Sequence, residues 1–159
     1  MPAVIRSAQL EDAGPISRIL QEMGWFERMQ SISPQDAQDQ VTSHLRQCLQ
    51  DKSHSIYVVV DEQGQVAGYG NVHWLPYLFL PGPEGYISEL FVSDRARGMG
   101  AGTELLRTIR DEAIRRGCYR LSLLNGRHRE SYHRKFYEMR GWEERPTMAN
   151  FVYWLQKED

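Results

Sequence analysis

Two cysteines, Cys48 and Cys118, are all that this chain of 159 residues contains, too few for a disulfide framework. A reduced, cytoplasmic setting is the expectation that follows. Cys48 falls on the apolar side of a helical pattern and Cys118 just before a strand-like run, so both read as buried thiols. No apolar stretch approaches the roughly 20 residues that cross a bilayer, so no membrane association is expected. No basic-then-apolar segment opens the sequence, and no secretory leader is expected. His128 and His133 have no partners at metal-ligand spacing and read as exposed, so no metal is expected. There are no repeats and no linker, and a single domain over 1–159 is expected.

The net charge of −2 conceals an uneven distribution. Residues 1–94 hold five basic and twelve acidic side chains, net −7. Residues 95–140 hold twelve and five, net +7, and residues 141–159 hold two and four, net −2. The basic block begins at a glycine loop, where its field suits a polyanionic ligand, although solvated helix faces account for most of these arginines. No base-stacking platform accompanies it, and nucleic acid is not an expected partner.

That loop reads Arg95-Ala96-Arg97-Gly98-Met99-Gly100-Ala101-Gly102-Thr103. It lies between a strand-like run, Tyr86–Val92, and an amphipathic run, Thr103–Arg116. A glycine-rich turn at a helix start offers free N–H groups and the positive end of the helix dipole to an anion. No lysine follows the glycines, which excludes a P-loop. The spacing Gly-x-Gly-x-Gly, about ninety residues into the chain, does not fit a dinucleotide fingerprint.

Hydrophobic periodicity places the other elements. Ala3–Arg6 reads as a strand, Glu11–Met23 as a helix, and Ser33-Pro34 caps a second helix with the stripe Val41, Leu45, Cys48 and Leu49. Ser55–Asp61 and Gln65–Leu75 read as strands, and Pro76–Gly85 as a loop. Gly98–Arg116 reads as a helix ended by Gly117, and Tyr119–Leu124 as a strand. Glu130–Arg140 reads as a helix capped by Gly141, and Met148–Leu155 as a last strand. The order implies an α/β fold with a mixed, mostly antiparallel sheet and helices on both faces.

The pattern Arg97-x-x-Gly100-x-Gly102 resembles the pyrophosphate-binding signature of the GCN5-related N-acetyltransferases (GNAT). Three further stretches occur in that family's order. Ile87-Ser88-Glu89-Leu90-Phe91-Val92-Ser93-Asp94 resembles its fourth strand, and Phe136-Tyr137-Glu138-Met139-Arg140-Gly141-Trp142 its late Phe-Tyr motif. Ile5-Arg6-Ser7-Ala8 with Glu11-Asp12-Ala13 resembles its opening strand and helix. The resemblance implies a GNAT domain with six to seven strands, whose fourth and fifth splay apart to admit the pantetheine arm of acetyl-CoA.

It also implies roles. Gly98, Met99, Gly100, Ala101, Gly102 and Thr103, with Arg97, would hold the cofactor's diphosphate, mostly through backbone N–H groups. Leu90, Phe91 and Val92 would pair with pantetheine, and an amide near Leu90 or Phe91 would polarise the acetyl carbonyl. Tyr137 is the candidate general acid for the departing thiolate. Glu89 is the candidate base, with Tyr86 and Ser88 in reserve; it stands one residue nearer Val92 than in some relatives. Asn125 matches a cofactor-binding asparagine, but the insertion Gly126–Glu130 lengthens the spacing, so Ser131 is an alternative.

The expected activity is transfer of an acetyl group from acetyl-CoA to a primary amine. The aromatic segments Met23–Phe26, His73–Tyr77 and Met148–Trp154, beside an acidic first half, suit a small cationic amine. They suit equally well a core or a homodimer interface. A protein or peptide acceptor and a non-catalytic acyl-CoA sensor are the alternatives.

Overall fold

The computed structural model describes residues 3–156, which fall into two compact units dividing between Leu124 and Asn125. The first unit holds a five-stranded sheet in sequential order: β1 Val4–Ser7, β2 His54–Val60, β3 Val66–Leu75, β4 Glu84–Val92 and β5 Arg120–Leu123. The first four strands run antiparallel, and β5 joins β4 in parallel. The mixed sheet agrees with the sequence, but it has five strands among the described residues, where six to seven were expected.

Helices cover both faces. α1 (Ala13–Glu22), α2 (Glu27–Ser31) and α3 (Pro34–Cys48) lie on one; α4 (Ala101–Arg115) lies on the other. Alternation along β2 sorts the two cores. Ile56 and Val58 join Ile16, Ile19, Leu20, Val41 and Leu45, whereas Val59 joins Ala101 and Leu105 of α4. Leu105 and Ile109, one turn apart, are fully buried, a contribution of roughly 1.5–3 kcal/mol each. The Ser33 hydroxyl accepts from the Asp36 N–H at 3.0 Å, with Pro34 at the first turn, as the sequence indicated. Gly117 ends α4: Gly117 N–H donates to Ile114 C=O and Cys118 N–H to Ala113 C=O, a Schellman closure.

Three expected elements differ. The first helix begins as a 3-10 turn at Leu10–Asp12, and α2 is an additional short helix. Glu130–Arg140 is not one helix: α5 spans Glu130–His133, Lys135 takes a left-handed φ of 56° that breaks the register, and a 3-10 turn follows at Glu138–Arg140. Met148–Leu155 is not a strand. No strand among the described residues pairs with it, and its Phe151, Tyr153 and Leu155 stand exposed. An alternating apolar pattern without a ladder partner does not make a strand.

Candidate active site

The glycine loop is a backbone cradle. A 3-10 turn at Asp94–Ala96 leads to Gly98 and Gly100, both left-handed, at φ 81° and 74°. Gly100 is the N-cap of α4, whose first intrahelical bond runs from Glu104 N–H to Gly100 C=O. The amides of Ala101 and Gly102 precede it and point off the helix start. A Cβ at Gly98 or Gly100 would meet nothing within 4 Å, so open space lies over both. Glycine there serves backbone conformation and close approach, which is what a diphosphate at a helix N-terminus requires. Arg97 lies 3.1 Å from Asp94, and Arg95 is used internally, donating to Val66 C=O and the Gln65 side chain.

The edge of β4 is the second component. β5 pairs with it only from Glu84↔Arg120 to Ile87↔Leu123. Beyond Ile87, residues Ser88–Val92 have no pairing to β5, so this part of β4 offers its backbone groups sideways. The opening expected between the two strands corresponds here to the end of β5, all four of whose residues pair with β4. Leu90 and Val92 turn their side chains to α4, and Phe91 turns to the α1–α3 side.

A bulge settles which way Glu89 faces. Val72 pairs with Ile87 but Asn71 pairs with Glu89, leaving Ser88 as an extra residue. Tyr69 and Asn71 bond the Glu89 carboxylate on the α1–α3 side, and the Ser88 hydroxyl meets His73 on the same strand face. Tyr69 Oη donates to Glu89 Oε1 at 2.9 Å and Asn71 Nδ2 donates to Oε2 at 3.0 Å. Burial, reinforced by the Glu89 charge, holds the Tyr69 phenol well above its usual range, so it remains a donor. Asn71 is buried and its Oδ1 has no hydrogen-bond partner.

Glu89, Asn71 and Tyr69 form one wall of a pocket of about 550 Å³, counting its open mouth. Ile16, Leu20, Val41, Leu45 and Ile56 supply its apolar walls, with Gln40, His44 and Cys48 from α3. Burial, and then the Glu89 and Asp51 charges, raise the Cys48 thiol, which favours its protonated form. Trp25 and Phe26 each set an edge against Phe91 at 5.7 Å, and Tyr69 does so at 5.8 Å. Of the expected aromatic segments, Trp25-Phe26 therefore adjoins the β4 edge. Trp74 does not: its indole N–H donates to Ser55 Oγ and its ring lies under Arg116. Tyr69 and Asn71 escaped the sequence reading, and His73 entered it only within the aromatic segment His73–Tyr77, although the period-two spacing of the three along one strand was a readable signal.

Asn125, Ser131 and Tyr137 belong to the second unit. Ser131 Oγ donates to Asn125 Oδ1 at 3.1 Å, so the two alternatives for the cofactor contact meet each other. Tyr137 packs edge-on against Phe136 and Trp142, at 5.0 and 5.9 Å. Burial pushes its phenol up to about 12. Among the described residues no group of three or more His, Cys, Asp or Glu is placed to hold a metal, and no helix is long and apolar enough to cross a membrane.

A glycine-lined helix start near a stretch of β4 that β5 leaves unpaired offers backbone N–H groups and open space to an anionic ligand. The chain is 29% identical over 129 residues to mouse (Mus musculus) thialysine N-epsilon-acetyltransferase, covering 76% of this chain and 74% of that protein. Its fold matches a transcriptional regulator from Bacillus halodurans C-125 with a TM-score of 0.82 at 21% identity, over 95% of this chain and 99% of that one. It also matches glucosamine-6-phosphate N-acetyltransferase from Arabidopsis thaliana with a TM-score of 0.74 at 20% identity, over 98% and 100%. The acetyltransferase (GNAT) family pattern covers residues 21–142, and the chain belongs to that family, whose members use acetyl-CoA as co-substrate.

Proposed function

We propose that this protein transfers the acetyl group of acetyl-CoA to the primary amine of a small cationic molecule carried on an aliphatic stem. The observation that carries the acceptor is the Glu89 carboxylate beside the unpartnered Asn71 Oδ1, at the wall of a pocket whose apolar walls include Ile16, Leu20, Val41 and Leu45 and to which α3 adds Gln40, His44 and Cys48. An ammonium has three donors and no acceptor, and this corner presents an anion and a free carbonyl oxygen. Methylenes of a lysine-like stem suit the apolar walls. The likeness to a thialysine acetyltransferase supports the same choice, because thialysine carries such an amine.

In this reading the Gly98–Thr103 backbone, with Arg97, holds the diphosphate, and the free edge at Leu90–Val92 pairs with pantetheine. An amide of that edge donates to the acetyl oxygen as negative charge develops there, a contribution of roughly 3–4 kcal/mol. Glu89 draws the cation in, and Tyr137 donates to the departing thiolate. Asn125 and Ser131 contribute to cofactor binding. The protein acts on a small molecule in a cytoplasmic setting, without metal or nucleic acid, and a homodimer is compatible with it.

The test is thiol release from acetyl-CoA across a panel of lysine-like amino acids, polyamines, amino sugars and lysine-containing peptides. Turnover of the lysine-like amines or polyamines is expected. Turnover confined to peptides or amino sugars overturns the acceptor assignment, and coenzyme A binding without any turnover overturns the catalytic one.

A further inference from the structure

An aliphatic ammonium cannot attack a thioester until it sheds a proton. The Glu89 carboxylate, held by Tyr69 and Asn71, is placed to attract the ammonium as a fixed charge. A carboxylic acid has an ordinary pKa near 4, some six units below an aliphatic amine, whereas an imidazole at about 6.5 stands roughly two units closer. The bulge brings such an imidazole to the open edge. Ser88, the extra residue, is exposed, and its Oγ lies 2.7 Å from His73 Nε2. Ser88 is also the first β4 residue beyond the last pair with β5, two positions from Leu90, or about 7 Å along a strand. A small amine attacking a thioester held on that edge stands within reach of this hydroxyl, directly or through one water.

We propose that His73, acting through Ser88, receives the proton that the acceptor ammonium loses before attack; this rests on the acetyl-transfer reading above. The ammonium N–H passes its proton to Ser88 Oγ as the Ser88 proton moves to His73 Nε2. The neutral nitrogen then forms the C–N bond, the C–S bond breaks, and the departing thiolate takes up the second nitrogen proton. The products are the amide, the free thiol and one proton, which His73 releases to solvent. The titratable groups around His73 are His54 on β2 and Tyr86 and Glu89 on β4. Burial and the facing His54 ring, 4.4 Å away, lower the His73 pKa against an opposing pull from Glu89, which favours the neutral ring that can accept a proton. His54 in turn meets Ser53 Oγ at 2.8 Å, and Ser53 meets Asp51, which leads the polar line to the surface.

The experiment compares wild type with His73→Ala and Ser88→Ala, each first shown to be folded and to bind coenzyme A like wild type. The expected result for His73→Ala is a loss of about 10²–10³-fold in kcat/KM for a strongly basic amine at pH 7.5. The acidic limb of the pH profile should disappear, and added imidazole should restore part of the rate. A weakly basic fluorinated ethylamine should lose far less. Ser88→Ala should show the same substrate dependence without imidazole rescue. A folded His73→Ala protein with an unchanged pH profile and no rescue overturns the inference while acetyl transfer stands. If His73→Ala does not fold, Ser88→Ala decides, and full turnover in it overturns the inference. A wild type inert on every amine overturns the acetyl-transfer reading and this inference together.

Discussion

Glu84 and Arg120 face each other across the first rung of the parallel β4–β5 pairing, the buried carboxylate accepting directly from the guanidinium Nε. The ladder ends three rungs later, at Ile87↔Leu123. The ion pair thus secures the end of the paired stretch that lies away from the candidate cofactor edge. Removing one partner of a buried pair leaves a costly unpaired charge. Arg120→Ala strands the buried Glu84 carboxylate and should lower unfolding free energy by about 3 kcal/mol and weaken coenzyme A binding; urea denaturation and calorimetric titration measure the two effects.

Gly100 faces open space at φ 74°. An alanine there meets no clash but must hold a left-handed backbone, at a cost of roughly 1–2 kcal/mol. Its methyl would also stand over the helix start. Gly100→Ala should therefore raise KM for acetyl-CoA at least tenfold with little change in KM for the amine, as initial-rate kinetics would show.

In the proposed function, Glu89 supplies the negative charge that meets the acceptor amine. Glu89→Gln keeps the shape and removes the charge, and a charged hydrogen bond is worth about 1.5–3 kcal/mol. KM for a cationic amine should rise about 10–100-fold while coenzyme A affinity holds. Equal loss for a neutral acceptor such as hydroxylamine would show that the carboxylate does not act through charge.

Tyr137, raised by burial to about 12, remains protonated across the working range. Any alkaline limb below pH 10 then belongs to another group. Tyr137→Phe should scale the pH–rate profile down by about 10²-fold without moving its limbs. A limb that vanishes in this variant would contradict the raised value.

Asp12 is buried and takes two bonds from Arg6, at 2.8 and 2.9 Å. Burial alone would raise its pKa, but the Arg6 guanidinium and the Gln9 N–H outweigh it and hold the carboxyl below its ordinary 3.8. Its stabilisation is complete above that value and is lost as pH falls through the depressed one. Unfolding free energy should fall more steeply below pH 4 in wild type than in Asp12→Asn, as pH-dependent urea titrations would show.

How much of this was written in the residues depends on range. The loop 97–103 was legible because its glycines encode backbone conformation locally, and the structure bears them out as left-handed at Gly98 and Gly100. The facing of Glu89 was not, since side-chain alternation along β4 passes through a bulge set by pairing with β3. The break at Lys135 carries no glycine or proline to announce it. Met148–Leu155 shows the converse failure, a strand-like pattern whose partner no local rule supplies.

The extra residue at Ser88 has an evolutionary consequence. Because it offsets alternation by one, Ser88 and Glu89 can both serve the acceptor side while Leu90 and Val92 keep packing on α4. Deleting it would restore plain alternation, leaving Glu89, Leu90, Phe91 and Val92 on their present faces and removing only the Ser88 hydroxyl, and substitutions at 88 and 89 likewise leave the core untouched. If the acceptor binds on this side, as proposed, two adjacent positions can vary in identity without disturbing the packing on α4.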